Sequence, residues 1–133
     1  MLDIAGGSLL AKANLQTWKA NGTEAQLFSL RRVGTADTGE VSYVIYNVRS
    51  GLVLDVSEDA GWPNACQNSL SDATTQTWVL RRTSSDETGR YQVINVGNGL
   101  ALTMSSANAG NGVNVRMAAI DGSKTQEWYL TAA

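Results

Sequence analysis

Three copies of one short phrase, set at a constant interval, constrain this chain more than any other feature. Gln26-Leu27-Phe28, Gln76-Thr77-Trp78 and Gln126-Glu127-Trp128 lie 50 residues apart, and each runs into a leucine at the same offset, Leu30, Leu80 and Leu130. A glutamine, an aromatic two residues on and a leucine two beyond is the alternation of a half-buried strand. Three copies at a fixed spacing mean one supersecondary unit used three times. The aromatic position is always large and apolar, so Phe28, Trp78 and Trp128 are all expected in the core.

The alignment extends upstream of the phrase. Tyr43-Val44-Ile45-Tyr46-Asn47-Val48 and Tyr91-Gln92-Val93-Ile94-Asn95-Val96 both read as strands rich in β-branched and aromatic residues. Gly51-Leu52-Val53-Leu54-Asp55-Val56 then matches Gly99-Leu100-Ala101-Leu102-Thr103-Met104 at an offset of 48, which becomes 50 from Asn64 and Asn114 onward. The loop in repeat two is therefore two residues shorter. Met1-Leu2-Asp3-Ile4 aligns with Val53-Leu54-Asp55-Val56, and nothing ahead of it matches the Tyr-x-Ile/Val-x-Asn strand. The count is about eleven short strands where three full units have about twelve. Turn pairs at Asn21-Gly22, Ser71-Asp72 and Asp121-Gly122 separate the last two strands of each repeat. The expected fold is all-β: a closed three-fold structure with the first strand of repeat one missing, in a single domain over 1–133, with repeats at 1–32, 43–82 and 91–131. Closure matters because it removes sheet edges that invite aggregation.

Composition narrows the function. The chain has 133 residues, enough for one modest core. A formal net charge of −2 argues against a nucleic-acid or anionic-membrane surface. The two tight basic pairs, Arg31-Arg32 and Arg81-Arg82, read as solvated strand ends. Cys66 is the single cysteine, so no disulfide forms within the chain, which suits a reducing compartment or a bacterial secreted module. No apolar run approaches a membrane span and no signal peptide is visible.

With these residues in view, the chain resembles a ricin-type β-trefoil lectin, and the likeness covers essentially its whole length. It rests on the thrice-repeated Gln-x-aromatic phrase, on Leu2-Asp3-Ile4 and Leu54-Asp55-Val56, and on the segment from Asn14 to Gln26. The lack of paired cysteines is more similar to the bacterial carbohydrate-binding modules of the family than to the plant toxin chains. The resemblance implies a barrel of six strands capped by six more, an extracellular or cell-surface setting, and a place in a multidomain protein or multivalent oligomer. It also implies a shallow sugar pocket in each repeat, between its second and third strands. There an aspartate accepts bonds from two hydroxyls, an aromatic ring stacks on the sugar, and a nearby amide adds further bonds.

Repeat one carries the whole set: Asp3, Gln16, Trp18 and Asn21, with Gln26 behind them to orient the aspartate or simply to bond within the core. A carboxylate suits vicinal hydroxyls because charge-assisted hydrogen bonds are about twice as strong as neutral ones. Indole offers a broad apolar face, and side-chain amides both donate and accept. Repeat two keeps Asp55 but has Cys66 and Asn68 where Gln16 and Trp18 stand, so Asp55, Asn68 and the loop residue Trp62 form a weaker second site. Repeat three has Thr103, Arg116 and Ala118 and is expected to be structural only, with Asp121 at the place of Asn21. Because Trp18 is matched by Asn68 and Ala118, it is not expected to be a core residue.

The expected ligand is a glycan with a galactose- or pentose-type unit, bound without cofactor or metal. The alternative is a protein-interaction or protease-inhibitor module, favoured by the loss of two of the three sites. Catalysis is not expected. The chain has no histidine, which removes histidine acid–base and metal chemistry. The pairs Glu58-Asp59 and Asp86-Glu87 lack the cross-cleft separation that glycoside hydrolysis needs. Asn21-Gly22-Thr23 also matches an N-glycosylation acceptor, where a glycan would cover the pocket.

Overall fold

The computed structural model describes residues 1–58, 61–83, 89–108 and 110–132; Asp59, Asp86 and Glu87, from the two acidic pairs, lie outside them. The described residues form eleven strands: β1 (Leu2–Ile4), β2 (Leu15–Thr17), β3 (Phe28–Thr35), β4 (Val41–Asn47), β5 (Val53–Ser57), β6 (Asn64–Asn68), β7 (Trp78–Arg82), β8 (Arg90–Asn95), β9 (Ala101–Met104), β10 (Val113–Ala118) and β11 (Trp128–Tyr129). The pairing is antiparallel throughout and falls into two groups. β3, β4, β7, β8 and β11 pair in succession and form the barrel wall. The hairpins β1–β2, β5–β6 and β9–β10 form the cap, and β10 links them by pairing with β2 and β6 as well. This is the β-trefoil plan implied by the resemblance, with five barrel strands.

The core follows from strand alternation. Ile4 and Leu15, Leu54 and Ala65, and Leu102 and Val115 point inward from the three hairpins, with Ile45, Trp78 and Val93 contributed by the barrel. At the three-fold axis the repeats meet through one residue used three times. Asn64 Nδ2 donates to Asn14 Oδ1 at 2.7 Å, Asn14 Nδ2 to Asn114 Oδ1 at 2.7 Å, and Asn114 Nδ2 to Asn64 Oδ1 at 2.9 Å. The ring satisfies one donor and one acceptor of each amide.

Three expectations are corrected. The glutamine of each phrase is not in a strand. It ends a single 3-10 turn, Glu24–Gln26, Thr74–Gln76 or Lys124–Gln126, and the strand begins at the aromatic. Backbone bonds over three residues, such as Gln26 N to Thr23 O at 3.1 Å, hold the turn, so the alternating pattern covered a turn and a strand together.

The three aromatic positions are also not equivalent, because the strand already found missing from repeat one leaves a seam. Among the described residues β3 pairs only with β4 and β11 only with β8. The aromatic positions consequently differ: Trp78 is 0 % exposed, whereas Phe28 and Trp128 flank the opening and are partly buried against the core. Finally, Arg81 is not merely a solvated strand end. Its Nε and Nη2 donate to Glu40 at 3.1 and 2.7 Å, and this forked bond holds the Glu40 carboxyl below the usual carboxylate range.

Candidate functional site

β1 and β2 place the repeat-one residues by simple alternation. Ile4 faces Leu15 in the core, and the next pair along, Asp3 and Gln16, faces the other way. Trp18 follows two residues after Gln16 and lies on the same side. The strand end is held by a reciprocal pair of bonds: Trp18 N donates to Met1 O at 3.0 Å, and the Met1 ammonium donates to Trp18 O at 2.9 Å. Repeat three backs the ring. A Cβ on Gly112 would lie 4.0 Å from the Trp18 indole, and Asn111 Oδ1 accepts the N–H of Lys19 at 2.8 Å.

The Gln26 amide ties the pocket together. Nε2 donates to Asp3 Oδ2 at 3.0 Å and to Lys19 O at 2.9 Å, while Oε1 accepts Asn21 N–H at 3.0 Å. The side chain is buried, braces its turn and bonds the Asp3 carboxylate. Asp3 is 5 % exposed. No buried polar side-chain atom among the described residues lacks a partner, so the remaining oxygen of Asp3 opens onto the pocket. Asn21 Oδ1 accepts Thr23 N and Oγ1 at 3.0 and 2.7 Å, which leaves its NH2 as the donor on the pocket side.

These side chains surround a concavity of about 650 Å³ whose lining includes Asp3, Gln16, Trp18, Asn21, Gly6 and Arg49. Gly6 and Gly7 lie in the turn after β1 at φ 64° and 59°, a left-handed conformation that glycine adopts without steric cost. Arg49 Nε donates to Gly7 O at 2.6 Å, so the arginine is anchored at one nitrogen and presents the rest of its guanidinium. Reading within single repeats missed Arg49, because it belongs to repeat two and enters the repeat-one pocket from the side. Its counterpart after Val96 is Gly97, and that asymmetry was the available signal.

The other repeats keep the bracket and lose the opening. Gln76 repeats the pattern, with Nε2 to Ser69 O at 2.9 Å and to Asp55 Oδ2 at 3.1 Å, and Ser71 N to its Oε1 at 2.7 Å. Here Asn68 Nδ2 also donates to Asp55 Oδ2 at 3.0 Å, and Val56 N–H takes Oδ1 at 2.7 Å. Burial raises the Asp55 pKa, but the bonds from Asn68, Thr75, Gln76 and Val56 outweigh it, leaving the carboxyl below the usual range. Both oxygens of this carboxylate thus accept bonds from within the protein. Trp62 is 56 % exposed in the β5–β6 loop. In repeat three Gln126 Nε2 reaches Thr103 Oγ1 at 3.4 Å, while Arg116 is exposed and Ala118 presents no ring. Asp121 Oδ1 is taken by Ser123 N–H at 2.8 Å.

Comparison with known proteins agrees with this architecture. The family model for the ricin-type beta-trefoil lectin domain-like family matches residues 1–68 and 74–133. Among solved structures, a designed three-fold symmetric protein, ThreeFoil, is 28% identical with a TM-score of 0.84, over 99% of this chain and 90% of that one. An exo-β-1,3-galactanase from Clostridium thermocellum is 23% identical with a TM-score of 0.85, over 99% of this chain but 27% of the galactanase. The Rhizoctonia solani agglutinin is 17% identical with a TM-score of 0.76, over 96% of this chain and 83% of that one. No curated protein matches the chain.

Proposed function

This chain belongs to the ricin-type beta-trefoil lectin domain-like family, and we propose that it is a carbohydrate-binding module with one competent sugar site, in repeat one. The observation that carries the reading is the contrast between two aspartates. Asp3 is oriented by Gln26 and keeps an open oxygen beside Gln16 and Trp18, whereas Asp55 is consumed by Asn68 and Val56.

In this reading Asp3 accepts hydrogen bonds from two vicinal hydroxyls. Gln26 holds the carboxylate so that little side-chain freedom is lost when the sugar arrives. The Trp18 indole covers the apolar C–H face of the ring. Gln16 and the Asn21 NH2 bond outlying hydroxyls, and Arg49 adds donors on the far wall. The ligand class is a galactose- or pentose-type unit. The activity in this reading is binding without catalysis, which the membership of a lectin domain-like family supports. A single shallow pocket gives a dissociation constant around millimolar, about −4 kcal/mol. Useful affinity then comes from several copies or from a larger parent protein at the cell surface or outside it.

The test is calorimetric or NMR titration of galactose, N-acetylgalactosamine, xylose and arabinose into the wild type and Trp18→Ala. Binding in the wild type that disappears in Trp18→Ala with an unchanged melting temperature is the expected result. No response to any sugar would sink the proposal. The loss of ring or carboxylate from repeats two and three favours a protein-binding module as the second reading, which a pull-down beside a glycan array separates.

A further inference from the structure

The repeat-one pocket carries a cation that the repeated fold does without. Arg49 stands in the turn between β4 and β5, and the equivalent residue between β8 and β9 is Gly97. The two turns dock alike: Asn47 Nδ2 donates to Ala25 O at 3.0 Å, and Asn95 Nδ2 to Thr75 O at 2.8 Å. A Cβ on Gly97 would lie 2.8 Å from Thr75 N and 2.9 Å from Thr74 Oγ1, so that turn has no room for a side chain. At the first copy Glu24 and Ala25 stand in place of Thr74 and Thr75, and there a full arginine is accommodated. Its guanidinium rests over Gly7, where a Cβ would lie 3.1 Å from Arg49 Nε.

The charge of Arg49 is not spent within the protein. Its Nε donates to Gly7 O at 2.6 Å, and among the described residues no carboxylate pairs with it. Asp3 lines the same pocket, but its carboxylate is bonded to Gln26 and not to the arginine. The concavity therefore holds two opposite charges that do not neutralise each other. We infer that its ligand is an acidic sugar, a hexuronate unit of galactose type, whose ring hydroxyls bond Asp3 and whose carboxylate is held by Arg49. The inference rests on the sugar-site reading above and adds the charge of the ligand to it.

The chemistry of the two walls selects this class. A guanidinium has donors only. With Nε taken by Gly7, the planar end formed by the two Nη groups is left, and a carboxylate meets it with paired, charge-assisted bonds where a hydroxyl takes one. In a pyranuronate the C2 and C3 hydroxyls lie on the ring edge opposite the C5 carboxylate. One ring therefore addresses both charges while its C–H face lies on Trp18. Repulsion between Asp3 and the sugar carboxylate disfavours the reversed pose, so the pair of charges also sets the orientation. Repeat two has neither half of the device, since Gly97 supplies no cation and both Asp55 oxygens accept bonds from within the protein.

The test is titration of galactose and of sodium galacturonate, which differ only in oxidation of the primary alcohol, into the full chain at neutral pH and matched ionic strength. The wild type should bind galacturonate about fivefold more tightly, the upper end of what a partly exposed ion pair gives. Salt at about 1 M should remove most of that preference, a readout that needs no variant. In Arg49→Gln the ratio of the two affinities should fall to about one, whereas a merely structural role would weaken both sugars alike. Galactose binding with no preference for galacturonate, or a preference that survives Arg49→Gln or high salt, overturns the inference and leaves the sugar site standing. No binding of either sugar overturns both.

Discussion

Replacing Gln26 and Gln126 by alanine, one at a time, separates the two tasks that this side chain performs. Both glutamines are buried, and each bridges its turn with two neutral bonds, to Lys19 O and Asn21 N or to Ala119 O and Asp121 N. Losing two neutral bonds costs about 2 kcal/mol, and the cavity left behind is common to both variants. Gln26 has in addition a bond at 3.0 Å to a buried carboxylate, where Gln126 has a long one at 3.4 Å to a hydroxyl. A charge-assisted bond adds roughly 1.5–3 kcal/mol. Beyond the shared cavity cost, Gln26→Ala should therefore lose about 4 kcal/mol and Gln126→Ala about 2, from a total on the order of 5–15 kcal/mol. In urea, with a slope of ~1–3 kcal/mol per molar, the midpoints should differ by about 1 M. The same pair should diverge in sugar titrations: Gln26→Ala loses at least about tenfold in affinity, a factor equal to ~1.4 kcal/mol, and Gln126→Ala retains wild-type binding. Equal midpoints together with unchanged sugar affinity in Gln26→Ala would refute the claim that the phrase positions the carboxylate.

Trp78→Ala should cost on the order of 3–5 kcal/mol, and Trp128→Ala less, since it is only partly buried; a thermal melt ranking Trp128 first would contradict the open seam. Arg49→Ala should change the relative affinities in the sugar panel while leaving the melting temperature within about 2 °C, since the residue is exposed and surface changes stay near ±0.5 kcal/mol. Asp55 has a folded-state pKa below its ordinary value of 3.8. Its contribution to stability is therefore present above that ordinary value and is lost as the pH falls through the folded one. Asp55→Asn should be less stable at neutral pH and show a flatter loss of stability below about pH 4, read from urea unfolding across pH; an unchanged acid limb would count against the bond network around Asp55.

Much of the fold was legible because it is written three times. The spacing of Gln26, Gln76 and Gln126, the aligned Leu-x-Leu strands and the incomplete first unit anticipate the strand count and the pseudo-symmetry. What alternation could not separate was the glutamine from its strand, since the glutamine is the last residue of the turn and the next one, Leu27, Thr77 or Glu127, is already extended. The proposed repeat-one set was read from symmetry breaking; the structure puts Asp3, Gln16, Trp18 and Asn21 along one concavity, with Gln26 behind it, bonded to Asp3. Two features were hidden for physical reasons. Asn68 turns back onto Asp55, a side-chain choice that no residue spacing encodes. Arg49 reaches its pocket across a repeat boundary, so only tertiary packing places it there. Phe28 and Trp128 share the chemistry of Trp78, and their partial exposure depends on a neighbouring strand position rather than on their own identity.

The asparagine ring at the axis has a consequence for how such a chain changes over time. Each of Asn14, Asn64 and Asn114 gives a proton to one neighbour and takes one from the other, so the ring circulates in one sense. Flipping all three amides together would reverse the sense with no bond lost, but altering one residue orphans a donor in one repeat and an acceptor in another. The axis is therefore held in common, and drift there is opposed by all three copies at once. The pockets lie outside that circuit. Trp18, Asn68 and Ala118 take no part in the ring of amides, so these three equivalent positions can differ in identity without breaking the bonds that hold the repeats together at the axis.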